Sequence, residues 1–177
     1  MIFFTADSHL DHSNIIKYCN RPFKTVEEMN ETIITNWNSV VKSEDTVYHL
    51  GDFCLGPRER MRLLGNQLNG HKHLIMGNHD KGKTRLHEAG FESVTRSVFV
   101  PFKLGEELKV QLSHYPYKTN NAWNWSPEDN GMILLCGHIH DRWLVKDRMI
   151  NVGVDMHNFT PVSAIEVLEL IKKEGLC

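Results

Sequence analysis

The chain opens on an apolar run, Ile2-Phe3-Phe4-Thr5-Ala6, which is rich in strand formers and gives way abruptly to polar residues 7–14. Its length and sharp boundary predict a buried strand followed by a polar loop. Thr25 and Glu28 then stand at capping-box spacing. Behind them Met29, Ile33, Ile34, Trp37 and Val40 or Val41 recur at helical intervals, which predicts a helix over about residues 25–41. Ser43-Glu44-Asp45 reads as a turn, and Thr46 to Leu50 as a second strand ending in Gly51-Asp52. Pro57 to Leu68 predicts a second helix, with Pro57 in its first turn, Met61, Leu64 and Leu68 on one face, and Asn69-Gly70 as its end. Lys72 to Met76 reads as a third strand running into Gly77-Asn78-His79-Asp80, with a short helix over 83–89.

Strand, helix, strand, helix, strand implies a parallel sheet with crossover helices. Each of these strands ends in a polar cluster, and in open α/β sheets ligands bind at the carboxyl ends of strands. The second half changes character. Ser97–Lys103, Leu108–Ser113, Met132–Cys136, Trp143–Val145 and Met149–Val152 read as strands, with Lys146-Asp147-Arg148 as a hairpin tip. A second, antiparallel or mixed sheet packed on the first is predicted. Ser163 and Glu166 make another capping box, ahead of an amphipathic helix over 164–174. With no internal repeat, low-complexity tract or linker, residues 1–177 read as one α/β (α+β sandwich) domain. Residues 117–131, around Trp123 and Trp125, form the one long polar loop, and loops of that length often carry function.

Composition narrows the function classes. The 177 residues are 41% hydrophobic and 24% charged, with net charge −2, as in ordinary soluble domains. No stretch approaches the ~18–20 apolar residues of a membrane span. The opening run lacks a basic leader, so the protein is expected to stay in the cytoplasm. The charge balance offers no basic stripe for an extended nucleic-acid surface, although bound divalent cations would add positive charge that the count omits. Cys19, Cys54, Cys136 and Cys177 form no C-x-x-C pair and read as reduced, mostly buried thiols. The compositional oddity is 11 histidines, histidine being both the commonest metal ligand and the usual acid/base near neutral pH.

Asp7-x-His9, Gly51-Asp52, Gly77-Asn78-His79-Asp80, Ser113-His114 and Gly137-His138-x-His140 each fall at the end of a predicted strand. These N/O ligands suit Mn²⁺, Fe, Zn²⁺, Ni²⁺ or Mg²⁺ better than soft-ligand sites do. In extended chain alternate residues point the same way, so Asp7 and His9, or His138 and His140, are expected to reach one metal together. The glycines let the backbone turn and approach the site.

The order D-x-H, G-D, G-N-H-D, H, G-H-x-H resembles the calcineurin-like metallophosphoesterase superfamily, from residue 5 to residue 140, and the opening Phe3-Phe4-Thr5-Ala6-Asp7-Ser8-His9 is similar to its small bacterial and phage-type phosphoesterases. The resemblance implies two sheets packed face to face and flanked by helices. It implies two divalent metal ions, with Mn²⁺ placed first: Asp7, His9 and His140 on one, Asn78, His114 and His138 on the other, and Asp52 bridging. His79 would protonate the leaving oxygen and Asp80 would orient His79. The implied activity is a hydrolase acting on phosphomono- or phosphodiester bonds, by attack of a metal-bridging hydroxide between cations ~3.5–4 Å apart. The alternatives are a non-catalytic scaffold of the same fold, or a nuclease or cyclic-nucleotide phosphodiesterase. The expected partner is a small phosphate-ester or nucleotide-like substrate, and a homo-oligomer is left open.

Several residues keep two readings. His12, beside the first metal, is either a substrate-phosphate contact or a local cap. Asn20 and Arg21 are candidate substrate contacts, arginine being a bidentate phosphate binder, against a surface reading. His49 reads as a packed, hydrogen-bonded strand histidine and Asp155 as a turn carboxylate. Trp123 and Trp125 form either an aromatic wall for a base or sugar or a loop or dimer anchor.

Overall fold

The computed structural model describes residues 1–96, 98–101, 109–118 and 125–176. The first half contains β1 (Ile2–Thr5), α1 (Ser13–Tyr18), α2 (Val26–Val40), β2 (Thr46–His49), α3 (Arg58–Gly65), β3 (His71–Ile75), α4 (Lys83–Glu88) and β4 (Phe91–Thr95). The second contains β5 (Val98–Pro101), β6 (Lys109–Leu112), β7 (Ile133–Cys136), β8 (Val145–Lys146), β9 (Met149–Asn151), a 3₁₀ turn (Val154–Met156), β10 (Val162–Ser163) and α5 (Ala164–Lys173).

The strands form two mixed sheets, ordered β10-β1-β2-β3-β4 and β5-β6-β7-β9-β8. In the first, β1 to β4 run parallel and β10 is antiparallel to β1. In the second, β6, β7 and β9 run parallel, and β5 and β8 are antiparallel edges. The expected α/β architecture of two mixed sheets with flanking helices is therefore observed. Strand alternation sorts the core into layers. Phe3, Val47 and Leu74 face the helices, against Met29, Ile33 and Trp37 of α2, Met61 and Leu64 of α3, and Leu86 of α4. Phe4 and Ile75, with Leu50 just past β2, face the second sheet, against Val110, Leu112, Ile133, Leu135 and Ile150, joined by Val167 and Ile171 of α5.

The helix signals act much as their residues dictate. Ser163 and Glu166 form a reciprocal capping box on α5. At α2 the Thr25 side chain accepts from the Glu28 N–H, but the Glu28 carboxylate reaches one residue further back, to the Lys24 N–H. Helix α3 ends at Gly65, short of the predicted Leu68, although Leu68 stays buried.

Three elements escape the pattern of apolar positions. Helix α1 is six residues with Ile15 its buried anchor, and β10 is two residues long, both too short for a period. Strand β4 has a clearer cause: its pairing with β3 shifts register between Lys72 and His73, so Phe91 opposes Lys72 while Ser93 opposes His73. The extra residue, Glu92, separates the buried Phe91 and Val94 by three positions instead of two and erases the alternation that marks a strand. Trp123, Cys177, and parts of the predicted 97–103 strand and the 117–131 loop lie outside the described residues.

The topology positions the site. Because β1, β2 and β3 are parallel in one sheet, and β6 and β7 in the other, their carboxyl ends all open on one edge of the sandwich. Antiparallel pairing would have sent successive polar clusters to opposite edges. Among the described residues no helix is long and apolar enough to cross a membrane.

Candidate metal centre

The turns that present the candidate ligands are not extended. Asp7, His9, Asp52, His138 and His140 all have positive φ, at 56°, 47°, 57°, 72° and 50°. This corrects the expectation from alternation: Asp7 and His9 converge because each bends back in the left-handed region, which costs a non-glycine residue about 1–3 kcal/mol and persists where surrounding contacts over-determine it. Those contacts are visible. The Asp7 N–H donates to the Gly51 carbonyl at 2.9 Å, and the His9 N–H to the Asp52 carbonyl at 3.0 Å. Gly51 itself has φ +93°, and a Cβ there would lie 2.5 Å from the Gly77 amide nitrogen. The loops after β2 and β3 touch backbone to backbone only because residue 51 has no side chain.

The candidate ligands form two adjoining groups. Donor atoms of Asp7, His9 and His140 all lie within 4.8 Å of one another, as do those of Asp52, His114 and His138. His138 and His140 thus fall into different groups, against the reading from their spacing and in line with the family resemblance. His114 Nε2 lies 3.2 Å from both Asn78 Oδ1 and His138 Nδ1, which brings Asn78 into the second group. Asp52 stands between the groups: its Oδ2 is 3.5 Å from His9 Nε2 and 3.4 Å from His114 Nε2.

The donors are aimed inward by a surrounding layer of hydrogen bonds. His114 Nδ1–H donates to the Leu50 carbonyl at 2.7 Å, which leaves Nε2 bare toward the centre. His140 Nδ1–H donates to Asp155 at 3.0 Å, so Nε2 is the nitrogen left to serve as a ligand once its proton is lost. His49 accepts the Gly51 N–H on Nδ1 and so carries its proton on Nε2, which donates to Ser8 Oγ; Ser8 in turn donates to the Phe53 carbonyl. This matches the packed, hydrogen-bonded strand histidine read from the sequence.

Electrostatics at the centre are those of buried groups awaiting compensation. Burial raises both Asp7 and Asp52 to about 6. Burial pulls His9 far below the usual imidazole range, and lowers His138 to about 3 and His49 to about 3. His140 behaves differently: burial lowers it, but its hydrogen bonds to Asp155 and Cys19 and the nearby Asp7 charge outweigh burial and hold it at about 10. Asp7 Oδ1 and His9 Nε2 are buried with no hydrogen-bond partner. A buried lone pair without a partner is costly, and a cation between these atoms would satisfy both. The donor set of imidazoles, carboxylates and one amide oxygen fits divalent metals that accept N/O ligands.

Other predicted residues take different places. His79 is at the mouth, its side chain 44% exposed, with Nε2 4.0 Å from Asp52 Oδ2 and its ring 5.3 Å from that of His9. Asp80, expected to orient His79, instead accepts the backbone N–H groups of Asp52, Gly77 and Phe53 at 2.7, 2.8 and 3.1 Å. Its carboxylate is spent on tying the second motif to the third. His12 occupies the N-cap position of α1 without a side-chain capping bond; its Nδ1 lies 3.3 Å from His9 Nδ1, and it lines the cleft over the first group.

Arg21 is not a surface contact. Its side chain is fully enclosed and makes a bidentate pair with Asp155 at 2.7 and 2.9 Å, while Nη2 and Nη1 donate to the carbonyls of Asp7 and Ser8. The Arg21 fork therefore braces the first motif from beneath. Asn20 is an exposed left-handed residue just past the end of α1, where its N–H donates to Lys17, a helix-terminating position. Asp155, read as a turn carboxylate, is the functional residue that sequence reasoning missed. It joins His140, 15 positions before it, to Arg21, 134 positions before it, and no local spacing signals such a partner. Cys19 lies beside the same pair, its sulfur within 4.8 Å of donor atoms of both His140 and Asp155.

Comparison with known proteins shows the family and the fold. The chain is 37% identical over 183 residues to the uncharacterised protein MJ1445 of Methanocaldococcus jannaschii, covering 97% of this chain and 92% of that protein. It is 31% identical to the gene 66 protein of Mycobacterium phage D29, covering 99% of this chain and 98% of that one. The crystal structure of AQ665, a protein of unknown function from Aquifex aeolicus, matches with a TM-score of 0.77 at 30% identity, over 97% of this chain and 99% of that chain. The model of the calcineurin-like phosphoesterase superfamily domain matches residues 1–160, and the chain belongs to that superfamily.

Proposed function

We propose that this protein hydrolyses phosphomono- or phosphodiesters with two divalent cations, held by Asp7, His9 and His140 on one side and Asn78, His114 and His138 on the other, with Asp52 between. The observation that supports this reading most is the position of Asp52 Oδ2, at 3.5 and 3.4 Å from one histidine nitrogen of each group. A single structural carboxylate has no need of that symmetry. Bound cations at such a site polarise phosphate oxygens and lower the pKa of water toward neutrality.

The chain's own residues supply the rest. The Leu50 carbonyl fixes the tautomer of His114 so that Nε2 offers a lone pair inward, and the Asp155 carboxylate holds His140 Nδ1–H so that Nε2 is the nitrogen that would lose its proton to a cation. Asp80 keeps the Asp52 and Asn78 loops in register through three amide bonds. His79, half in solvent with Nε2 turned toward the centre, is positioned to hand a proton to a departing oxygen. Manganese is the first metal to try, and the setting proposed is the cytoplasm, where the free thiols Cys19, Cys54 and Cys136 stay reduced.

The test is a panel of aryl, alkyl and cyclic phosphate esters assayed after reconstitution with Mn²⁺, Ni²⁺, Zn²⁺ and Mg²⁺, alongside metal analysis. Metal-dependent turnover and about two ions per chain are expected. A protein that binds no metal, or that leaves mono-, di- and cyclic esters alike untouched, overturns the reading in favour of a scaffold of the same fold.

A further inference from the structure

His79 is a wall shared by two clefts. On one side is the space of about 300 Å³ that it bounds with His9, His138 and His140. On the other is a cleft of about 480 Å³ that it bounds with Gly56, Pro57, Lys81 and Arg85. The second cleft is built by the continuations of the loops that carry Asp52 and Asn78, so its position relative to the candidate centre follows from the same backbone contacts.

Its polar lining is cationic. Arg58, Lys81 and Arg85 line it, with no carboxylate among the described lining residues, in a chain whose net charge is −2. Arg58 is already neutralised by Glu88. Arg85 donates from Nη2 to the Gly56 carbonyl at 2.9 Å, but its Nε–H is buried and has no acceptor. The exposed Lys81 ammonium makes no hydrogen bond or ion pair among the described residues. Helix α3 starts at the same wall with no side-chain cap on its first-turn amides, which adds a positive end. A free ammonium, the Arg85 side chain on the wall and an uncapped helix start, all at one cleft with no carboxylate among its described lining residues, together select an anion.

We infer that this cleft is a second anion subsite, which takes a phosphate carried by the leaving group, so that the substrates are esters bearing a second phosphate beyond the one attacked. The inference rests on the proposed hydrolysis for the direction of the leaving group, past His79. One water adds to the attacked phosphorus, its P–O bond to the leaving oxygen breaks, and that oxygen departs as an alcohol that keeps the second phosphate.

Equilibrium binding separates this subsite from the reaction. Metal-free protein titrated calorimetrically with inorganic phosphate is expected to bind it, and Lys81→Gln combined with Arg85→Gln to weaken binding about tenfold, the loss of one charge-assisted contact. Lys81→Gln alone carries the test if losing the Arg85–Gly56 bond unfolds the double variant, since Lys81 is exposed and unpaired. In metal-loaded protein the preference, by KM, for adenosine 3′,5′-bisphosphate over adenosine monophosphate should fall about tenfold in the same variants. Phosphate binding that ignores both substitutions, or a bisphosphate preference that survives them, overturns the subsite. If no ester is turned over at all, the hydrolytic reading fails, and the calorimetry still decides whether the anion site exists.

Discussion

Asp155 ties the candidate centre to the interior, because one carboxylate accepts from His140 on one side and from the Arg21 fork on the other. Asp155→Asn keeps its size and removes its charge. Arg21, whose side chain is fully enclosed, is then left without a counter-ion, a loss of about 3–5 kcal/mol readable by urea unfolding. His140 loses its orienting partner, and metal affinity should fall about 10–100-fold. Unchanged metal affinity in the folded variant would remove Asp155 from the site. His79 predicts the opposite pattern. His79→Gln should leave metal content intact and slow alkyl esters about 10²–10⁴-fold, while nitrophenyl esters, whose leaving group needs no proton, are slowed far less. Equal losses on both classes would assign His79 to substrate binding instead.

At the scale of elements, the site depends on how closely the loops after β2 and β3 approach. Gly51 combines φ +93° with a Cβ position 2.5 Å from the Gly77 nitrogen. Gly51→Ala must therefore strain residue 51 and push the two loops apart together. Both Asp52 and Asn78 move with those loops, so the variant should lose metal binding before it loses its fold. Calorimetric metal titration beside far-ultraviolet dichroism checks this, and full metal binding would contradict it. Elements were legible in sequence where their period was unbroken. Helix α2 announced itself by Thr25, Met29, Ile33 and Trp37. Strand β4 was hidden because the register shift at Lys72/His73 places Phe91 and Val94 off the strand period.

Across the whole molecule, the buried acids make metal uptake a proton-release reaction. Asp7 and Asp52, raised to about 6 by burial, favour the folded metal-free protein most below the ordinary carboxylate range, and that contribution disappears as pH rises through 6. Metal binding needs both as carboxylates, so affinity falls as pH drops through 6. His140, held at about 10, gives up a proton on uptake at any pH below that value. Saturating Mn²⁺ should therefore raise the Tm more at pH 7 than at pH 5, which thermal unfolding at the two values measures. An equal shift would mean that these carboxylates do not bind the ion.

The strand-end clusters were readable because each is local: a short apolar run stops, and Asp7-x-His9, Gly51-Asp52 or Gly77-Asn78-His79-Asp80 follows within a few residues. The sequence by itself determined the order of those clusters, the parallel core of the first sheet and the capped helices, since each follows from a period or a spacing along the chain. What only the tertiary structure decided is how the clusters are held. The left-handed bends at Asp7, His9, Asp52, His138 and His140, the Arg21–Asp155 brace and the engagement of Asp80 with backbone amides all arise from contacts between segments far apart in the chain. Their energies depend on burial and on partners that residue spacing does not encode.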